Sequence, residues 1–251
     1  MNIAVHILCY NESEIVGYSL RHYATFATRI VLHDLGSTDG CQKIATDAGA
    51  EVVQWDCKGE FDDRLNKKIK NECWLGSTAD WVVCVDADEL IYFPGGAQAT
   101  LEAYATQWVA VVNPYGYEMT SDEFPSRNGQ IYDEVKHGAR DDYWYGKKVL
   151  FTPRLVASVD FGTGAHVTTA FLKDGSRLLV DSKSPISSPS TYLLHFKHLG
   201  GLDRMTRLYA ENQARQSAIN KQFKWGNMEA PSKHAADKRR AILSRLERVL
   251  P

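Results

Sequence analysis

The chain has 251 residues, 44% of them hydrophobic and 24% charged, with a formal net charge of -2. That composition suits one sizeable core, so one large α/β domain, or one with a small appendage, fits better than two equal domains. The near-neutral balance argues against a general polyanion partner, and no nucleic-acid partner is expected.

Residues 3–9 form an apolar run that predicts a first strand buried on both faces, not a signal peptide. Asn11 and Glu14 have the spacing of a capping box, ahead of a helix carrying Ile15, Val16, Leu20, Tyr23 and Phe26. Arg29 to Asp34 reads as a second strand and ends in the turn-rich Leu35-Gly36-Ser37-Thr38-Asp39-Gly40, where Ser37 to Gly40 also reads as a helix N-cap. A helix through about 41–48 and a strand at 51–54 follow. This β-α-β-α-β order implies parallel strands with right-handed crossovers. A mixed helix at about 61–77, with Arg64, Lys67, Lys68, Lys70 and Asn71, leads to a fourth strand at 80–85.

The second half changes character. Residues 108–113 and 147–158 read as strands around an acidic polar stretch. Gly162 to His166 reads as a loop and Tyr192 to Phe196 as a short strand. Ser184 to Ser190, with Pro185 and Pro189, reads as a linker, and helices are expected at about 202–223 and 231–250. The five cysteines, Cys9, Cys41, Cys57, Cys73 and Cys84, are odd in number and lack CxxC spacing. That argues against a zinc site or a disulfide framework, and Cys9 and Cys84 read as small hydrophobes within strands. No apolar run approaches the roughly 18 residues of a membrane span. The expected location is cytoplasmic.

The fourth strand exits at Asp86-Ala87-Asp88-Glu89. Residues i and i+2 of a strand share a side, so Asp86 and Asp88 can face one hard divalent cation. Carboxylates suit Mg²⁺ or Mn²⁺, ions that also favour diphosphate oxygens. A solvated or capping acid is the plainer reading of such a pair taken alone.

Three segments in order resemble the glycosyltransferase A fold, and specifically family-2-like bacterial glycosyltransferases. They are Cys9-Tyr10-Asn11-Glu12, Asp34-Leu35-Gly36-Ser37-Thr38-Asp39-Gly40, which is similar to a D-x-G-S-T-D-G loop, and Asp86-Ala87-Asp88-Glu89. The likeness covers about the first 90 residues well and the rest loosely. It implies an α/β fold with a Rossmann-like, mostly parallel sheet flanked by helices. Residues 1–200 would form the catalytic domain, with 1–90 as the nucleotide-sugar half and 91–200 as the acceptor half, and 201–251 a helical extension. Tyr10, Asn11, Glu12, Asp34, Arg64, Asp86 and Ala87 would bind the nucleotide sugar, and Asp88 would ligate Mn²⁺ or Mg²⁺. For Arg64 an exposed charged helix is an equal reading.

The same resemblance draws attention to Lys147-Lys148, Gly164-Ala165-His166 and His195-Phe196. His195 is the first choice to complete the metal shell and His166 the second, against the plain reading of satisfied core or loop histidines. His198 lies three residues on and is expected to point elsewhere. An inverting enzyme needs a base near the acceptor hydroxyl. Asp122, Glu123, Asp133, Glu134, Asp141 and Asp142 are the candidates, and nothing ranks them.

The final helix carries Ile242, Leu243, Leu246, Val249 and Leu250 among Lys238, Arg239, Arg240, Arg245 and Arg248. Packing against the domain competes there with a peripheral membrane contact. The expected function is transfer of a sugar from a nucleoside-diphosphate donor, a UDP-sugar favoured, to a glycan or lipid-linked acceptor with inversion. The alternatives are a non-catalytic nucleotide-sugar-binding module and a phosphatase of the haloacid-dehalogenase kind. The phosphatase ranks lower because its Asp-x-Asp normally closes the first strand and precedes a Thr.

Overall fold

The computed structural model describes residues 1–126, 128–180, 188, 190–225 and 229–251. Most of the expected 184–190 linker lies outside the described residues. The chain runs β1 (Ile3–Cys9), α1 (Val16–Tyr23), β2 (Arg29–Asp34), α2 (Cys41–Asp47), β3 (Glu51–Gln54), α3 (Asp63–Glu72), β4 (Trp81–Asp86), β5 (Glu89–Tyr92) and α4 (Ala97–Thr106). It continues through β6 (Tyr115–Ser121), α5 (Ile131–Glu134), β7 (His137–Arg140), α6 (Asp142–Tyr145), β8 (Leu150–Phe151) and β9 (Val156–Phe161). After a 3-10 turn at Thr163–Ala165 come β10 (Thr168–Leu172), β11 (Arg177–Val180), β12 (Tyr192–Leu199), α7 (Gly201–Ala214), α8 (Ala218–Phe223), α9 (Pro231–Leu243) and β13 (Glu247–Arg248).

The first sheet has the order β3-β2-β1-β4-β8. Its first four strands are parallel, and β8 adds an antiparallel edge. Every residue of β1 is buried, as expected for a strand covered on both faces. The parallel strands bring the C-terminal ends of β1, β2 and β4 to one edge, where open α/β sheets bind ligands. A second sheet, β13-β7-β6-β12-β5, pairs β12 parallel to β6 and antiparallel to β5. The architecture is α/β with a mostly parallel principal sheet, as the sequence predicts.

Several boundaries differ from expectation, each for a local reason. Asn11 does not cap α1. Its backbone takes φ 50°, its N–H donates to Ser37 Oγ and its Oδ1 accepts from the Thr38 N–H, so it ties the β1 exit to the β2 exit. Gly40, at φ 88°, is the N-cap of α2, while Asp39 Oδ1 accepts from the Cys41 N–H. The helix expected at 61–77 covers only 63–72, started by the Asp62 carboxylate on the Arg64 N–H. Residues 108–113 contribute only a bridge at Val111, and the strand lies further on at 115–121. The expected strand at 147–158 divides into β8 and β9 around the Thr152–Leu155 turn. The helix expected at 202–223 breaks at 215–217. There the Phe61 N–H donates to the Arg215 carbonyl, the Ser217 N–H donates to the Phe61 carbonyl, and Ser217 caps α8.

Gly116 shows how closely β6 packs on α6. A Cβ there would stand 2.1 Å from the Gly146 nitrogen and 2.2 Å from the Tyr145 carbonyl carbon, both rigid backbone. Gly116→Ala is therefore expected to destabilise the fold by about 3 kcal/mol or more, read as a lowered urea midpoint. An unchanged midpoint would show that α6 can move aside.

His22 offers a pH test of the core. Its Nε2–H donates to the Ile91 carbonyl at 2.8 Å, and Tyr23, Phe26 and Tyr132 crowd the ring edge-on. Burial, partly offset by that hydrogen bond, pushes its pKa from 6.5 down to about 4. Above 6.5 the neutral ring contributes its full stability. As pH falls toward 4 the unfolded chain binds the proton first, and that contribution is lost. Its share at pH 5 is about 2 kcal/mol, so wild type should lose that much more than His22→Gln between pH 7 and pH 5 in urea titrations. Equal losses would exclude His22 as the source.

Candidate active site

A cavity of about 750 Å³ opens at the C-terminal ends of β1 and β4. Tyr10, Glu12, Asp86, Ala87, Asp88, His166, His195 and His198 line it, together with residues of α3, α7 and α9. Segments far apart in sequence thus meet where the parallel strands end.

Strand β4 ends at Asp86, and a turn carries Ala87 and Asp88 before β5 begins. The two aspartates are therefore not neighbours on one strand face, yet both reach the cavity, and their partners differ. Asp86 Oδ1 lies 2.8 Å from Lys70 Nζ, and Oδ2 lies 3.7 Å from Lys147 Nζ. Against the cost of burial, these ammoniums hold the Asp86 carboxyl well below the usual carboxylate range. Glu89 is fully buried and braces the turn, accepting from the Asp86 N–H and pairing with Lys147 Nζ at 2.5 Å. Burial opposes the Lys147 charge, but Glu89 and Asp86 hold its pKa above the ordinary lysine value.

Asp88 faces a histidine. Its Oδ2 lies 3.5 Å from His195 Nε2, while His195 Nδ1 lies 2.7 Å from Glu118 Oε2. The pairing register explains this, because His195 stands directly across from Glu118 on β6 and from Glu89 on β5. The Tyr145 ring stacks on the imidazole at 5.0 Å. Burial pulls the His195 pKa down, but Glu118 and Asp88 outweigh it and hold it at about 9. His198 does not point elsewhere. The register of β12 shifts between His195 and His198, and this turns His198 toward the same carboxylate, with Nδ1 2.9 Å from Glu118 Oε1. His198 Nε2 is 2.6 Å from the Tyr209 hydroxyl of α7.

The remaining expected residues are placed as follows. Tyr10 lies under the Arg215 guanidinium, 3.0 Å from ring centroid to Cζ. Burial, then the nearby Asp88 carboxylate, pushes Glu12 up to about 8. Asp34 does not line the cavity. It is buried behind the β2 exit loop, accepting from the Ser37 N–H and from Gln42 Nε2. Arg64 turns away to its neighbour Asp62, at 2.8 Å, and stays largely exposed. His166 lines the opposite lip with its ring edge-on to Trp144, and burial with the nearby Lys147 charge pushes it down to about 4.

The acids expected as bases also lie outside the cavity lining. Asp122 pairs with Arg239 of α9 at 2.6 Å, and Glu123 is exposed. Asp133 accepts from the Gln130 N–H at the start of α5, and Glu134 accepts from Ser126. Asp141 caps α6 and Asp142 pairs with Arg140. Glu118, the buried carboxylate against His195 and His198, is absent from the sequence reading. It falls in a strand shifted from its expected position, where Tyr-Gly-Tyr-Glu-Met-Thr carries no mark of a buried acid.

The helix expected at about 231–250 ends at Leu243, because Glu247 and Arg248 pair with β7 as β13, and this C-terminal segment packs against the body. Ile242 and Leu250 are buried, Arg245 pairs with Asp141 at 3.2 Å, and Lys238 turns inward over the Trp144 ring. Among the described residues no helix is long and apolar enough to cross a membrane.

No family model matches this chain. Over 87 residues it is 28% identical to a TPR repeat-containing protein of Synechococcus elongatus, a match covering 35% of this chain and 20% of that protein. Among solved structures it is similar to glucosyl-3-phosphoglycerate synthase from Mycobacterium tuberculosis in complex with Mn²⁺, UDP and glucosyl-3-phosphoglycerate. That likeness covers 45% of this chain and 43% of the synthase, at 16% identity and a TM-score of 0.32. The same enzyme with Mg²⁺ and UDP gives the same values. The chain therefore spans about a fifth of the curated relative's length and less than half of the synthase's.

Proposed function

We propose that this chain is a metal-dependent glycosyltransferase that moves a sugar from a nucleoside-diphosphate sugar, a UDP-sugar favoured, to a glycan or lipid-linked acceptor with inversion. The observation that carries the reading is the Asp88–His195–Glu118 array at the cavity. Glu118 accepts from His195 Nδ1, and Nε2 faces Asp88 across 3.5 Å; without an ion the raised His195 pKa keeps a proton on Nε2, which a bound cation would displace to take the lone pair. A carboxylate oxygen and an imidazole nitrogen so oriented form a donor set that fits Mn²⁺ or Mg²⁺, and a carboxylate behind the histidine is a recurrent support for metal ligands. Asp88 and His195 would hold the ion, which neutralises the charge growing on a departing diphosphate.

The other residues position and exclude. Lys70 and Lys147 fix Asp86 at the strand exit, and Glu89 fixes the turn that presents Asp88. Tyr10 under Arg215 offers a flat wall for a nucleobase. In this reading residues 1–200 carry the chemistry, and 201–251 close the cavity through α7 and α9. Glu12, beside Asp88 on the cavity wall, takes the place of the acceptor's base.

One observation favours a second reading, a non-catalytic nucleotide-sugar-binding module. None of Asp122, Glu123, Asp133 or Glu134 lines the cavity. A panel of nucleotide sugars with Mn²⁺ separates the two, with released nucleoside diphosphate as the readout. The proposal expects turnover of one donor that stops in excess EDTA. Saturable donor binding without any turnover would establish the module instead.

A further inference from the structure

Behind the cavity, on the face of β1 and β2 that meets α3, lies a second group of reactive side chains. A nitrogen of His6, a nitrogen of His33 and Cys73 Sγ all lie within 4.8 Å of one another. Cys73 is the C-cap of α3 and partly exposed, whereas both histidines are buried. Cys84, fully buried in the middle of β4, places its Sγ 3.8 Å from Cys73 Sγ.

The hydrogen bonds decide what this group can do. The Trp55 indole N–H donates to His33 Nδ1 at 3.1 Å. An indole nitrogen can only donate, so a neutral His33 carries its proton on Nε2. That proton points at His6 Nδ1, 3.0 Å away. The two facing nitrogens are therefore committed to each other, which disfavours a metal between them and leaves sulfur chemistry at Cys73. The adjoining Cys84 thiol, against the cost of burial and with the two imidazoles close by, holds the Cys73 thiol well below its ordinary value. Burial, then Cys73 itself, pushes the Cys84 thiol up. A stabilised thiolate with solvent access beside a protonated thiol is the arrangement of an oxidisable pair.

We propose that Cys73 and Cys84 form a peroxide-reactive dithiol whose oxidation product is an intramolecular disulfide. The Cys73 thiolate attacks a peroxide oxygen, the O–O bond breaks and hydroxide leaves, giving a sulfenic acid at Cys73. The Cys84 sulfur then displaces the hydroxyl, which leaves as water with the Cys84 proton, and the S–S bond forms. The sulfurs close from 3.8 Å to about 2.05 Å. Lys70 lies one turn before Cys73 on α3 and Asp86 lies two residues after Cys84, so the new bond ties together the two elements joined by the Lys70–Asp86 ion pair.

The test needs no assumption about the cavity's substrate. Reduced, EDTA-treated protein receives one equivalent of hydrogen peroxide, is alkylated unfolded and is digested with trypsin. No Lys or Arg lies between residues 70 and 127, so both cysteines fall in one peptide. The expected result is loss of two hydrogens and of both alkyl groups from most of that peptide, reversed by dithiothreitol. In Cys84→Ser, Cys73 should instead be trapped by dimedone as the sulfenic acid. Full alkylation of Cys73 and Cys84 at a peroxide dose that oxidises Cys57 would overturn the proposal, and that outcome is decided on wild type alone.

Discussion

Asp88→Ala is expected to lower donor turnover in Mn²⁺ by at least about a thousand-fold in kcat/KM, about 4 kcal/mol of transition-state stabilisation. The size follows from the donor set. Asp88 supplies the carboxylate oxygen facing His195 Nε2, and Asp86 is already occupied and cannot replace it without giving up its ion pair with the buried Lys70 ammonium. The fold should survive, because Asp88 sits in a turn and its structural contribution is a backbone carbonyl that accepts from the Phe196 N–H. Alanine keeps that carbonyl. Circular dichroism and the thermal midpoint should match wild type within a few degrees. Full turnover in the variant, or in wild type with excess EDTA, would end the metal mechanism.

Glu118→Gln should weaken Mn²⁺ binding by about 10- to 100-fold, the usual cost of losing a carboxylate behind a metal-ligating histidine. Glu118 is fully buried and faces the Nδ1 atoms of both His195 and His198. As a carboxylate it accepts from His195 Nδ1 and stands 2.9 Å from His198 Nδ1. As an amide it accepts from one and presents an N–H₂ to the other, so one imidazole must change tautomer. If that is His195, its proton moves to Nε2 and covers the lone pair aimed toward Asp88. Calorimetric Mn²⁺ titrations of Glu118→Gln, His195→Ala and the double variant form a cycle. The double variant should bind no more weakly than His195→Ala alone, since Glu118 acts through that ring. Additive losses would mean that Glu118 serves the site by another route, and unchanged affinity in the folded single variant would remove it from the site.

Legibility differed between the halves of the chain for a physical reason. In 1–90 the strands are short continuous apolar runs separated by Gly-, Asn- and Asp-rich turns, and each signal is local. From 91 onward β6 alternates polar and apolar residues beside aromatic ones, and β8 has only two residues. Their pairing partners lie far away in sequence, so the strand at 115–121 was misplaced, and Glu118 went unseen with it.

The sequence by itself determined the parallel α/β order, the strand exits at Tyr10 and Asp86, and the pairing of Asp88 with His195 as the residues to examine. The order and the exits rest on apolar runs and turn chemistry carried within short stretches, and the choice of Asp88 with His195 rests on what the resemblance to the glycosyltransferase A fold implies. Only the tertiary structure decided what each group does. Asp86 and Asp88 look equivalent in sequence, yet the first is neutralised by Lys70 and Lys147 while the second is left facing an imidazole. Asn11, Asp34 and Arg64 look like ligand contacts, yet their hydrogen bonds are spent within the protein. A side chain's chemistry is set by burial and by partners supplied from distant segments, and those come together only when the chain folds.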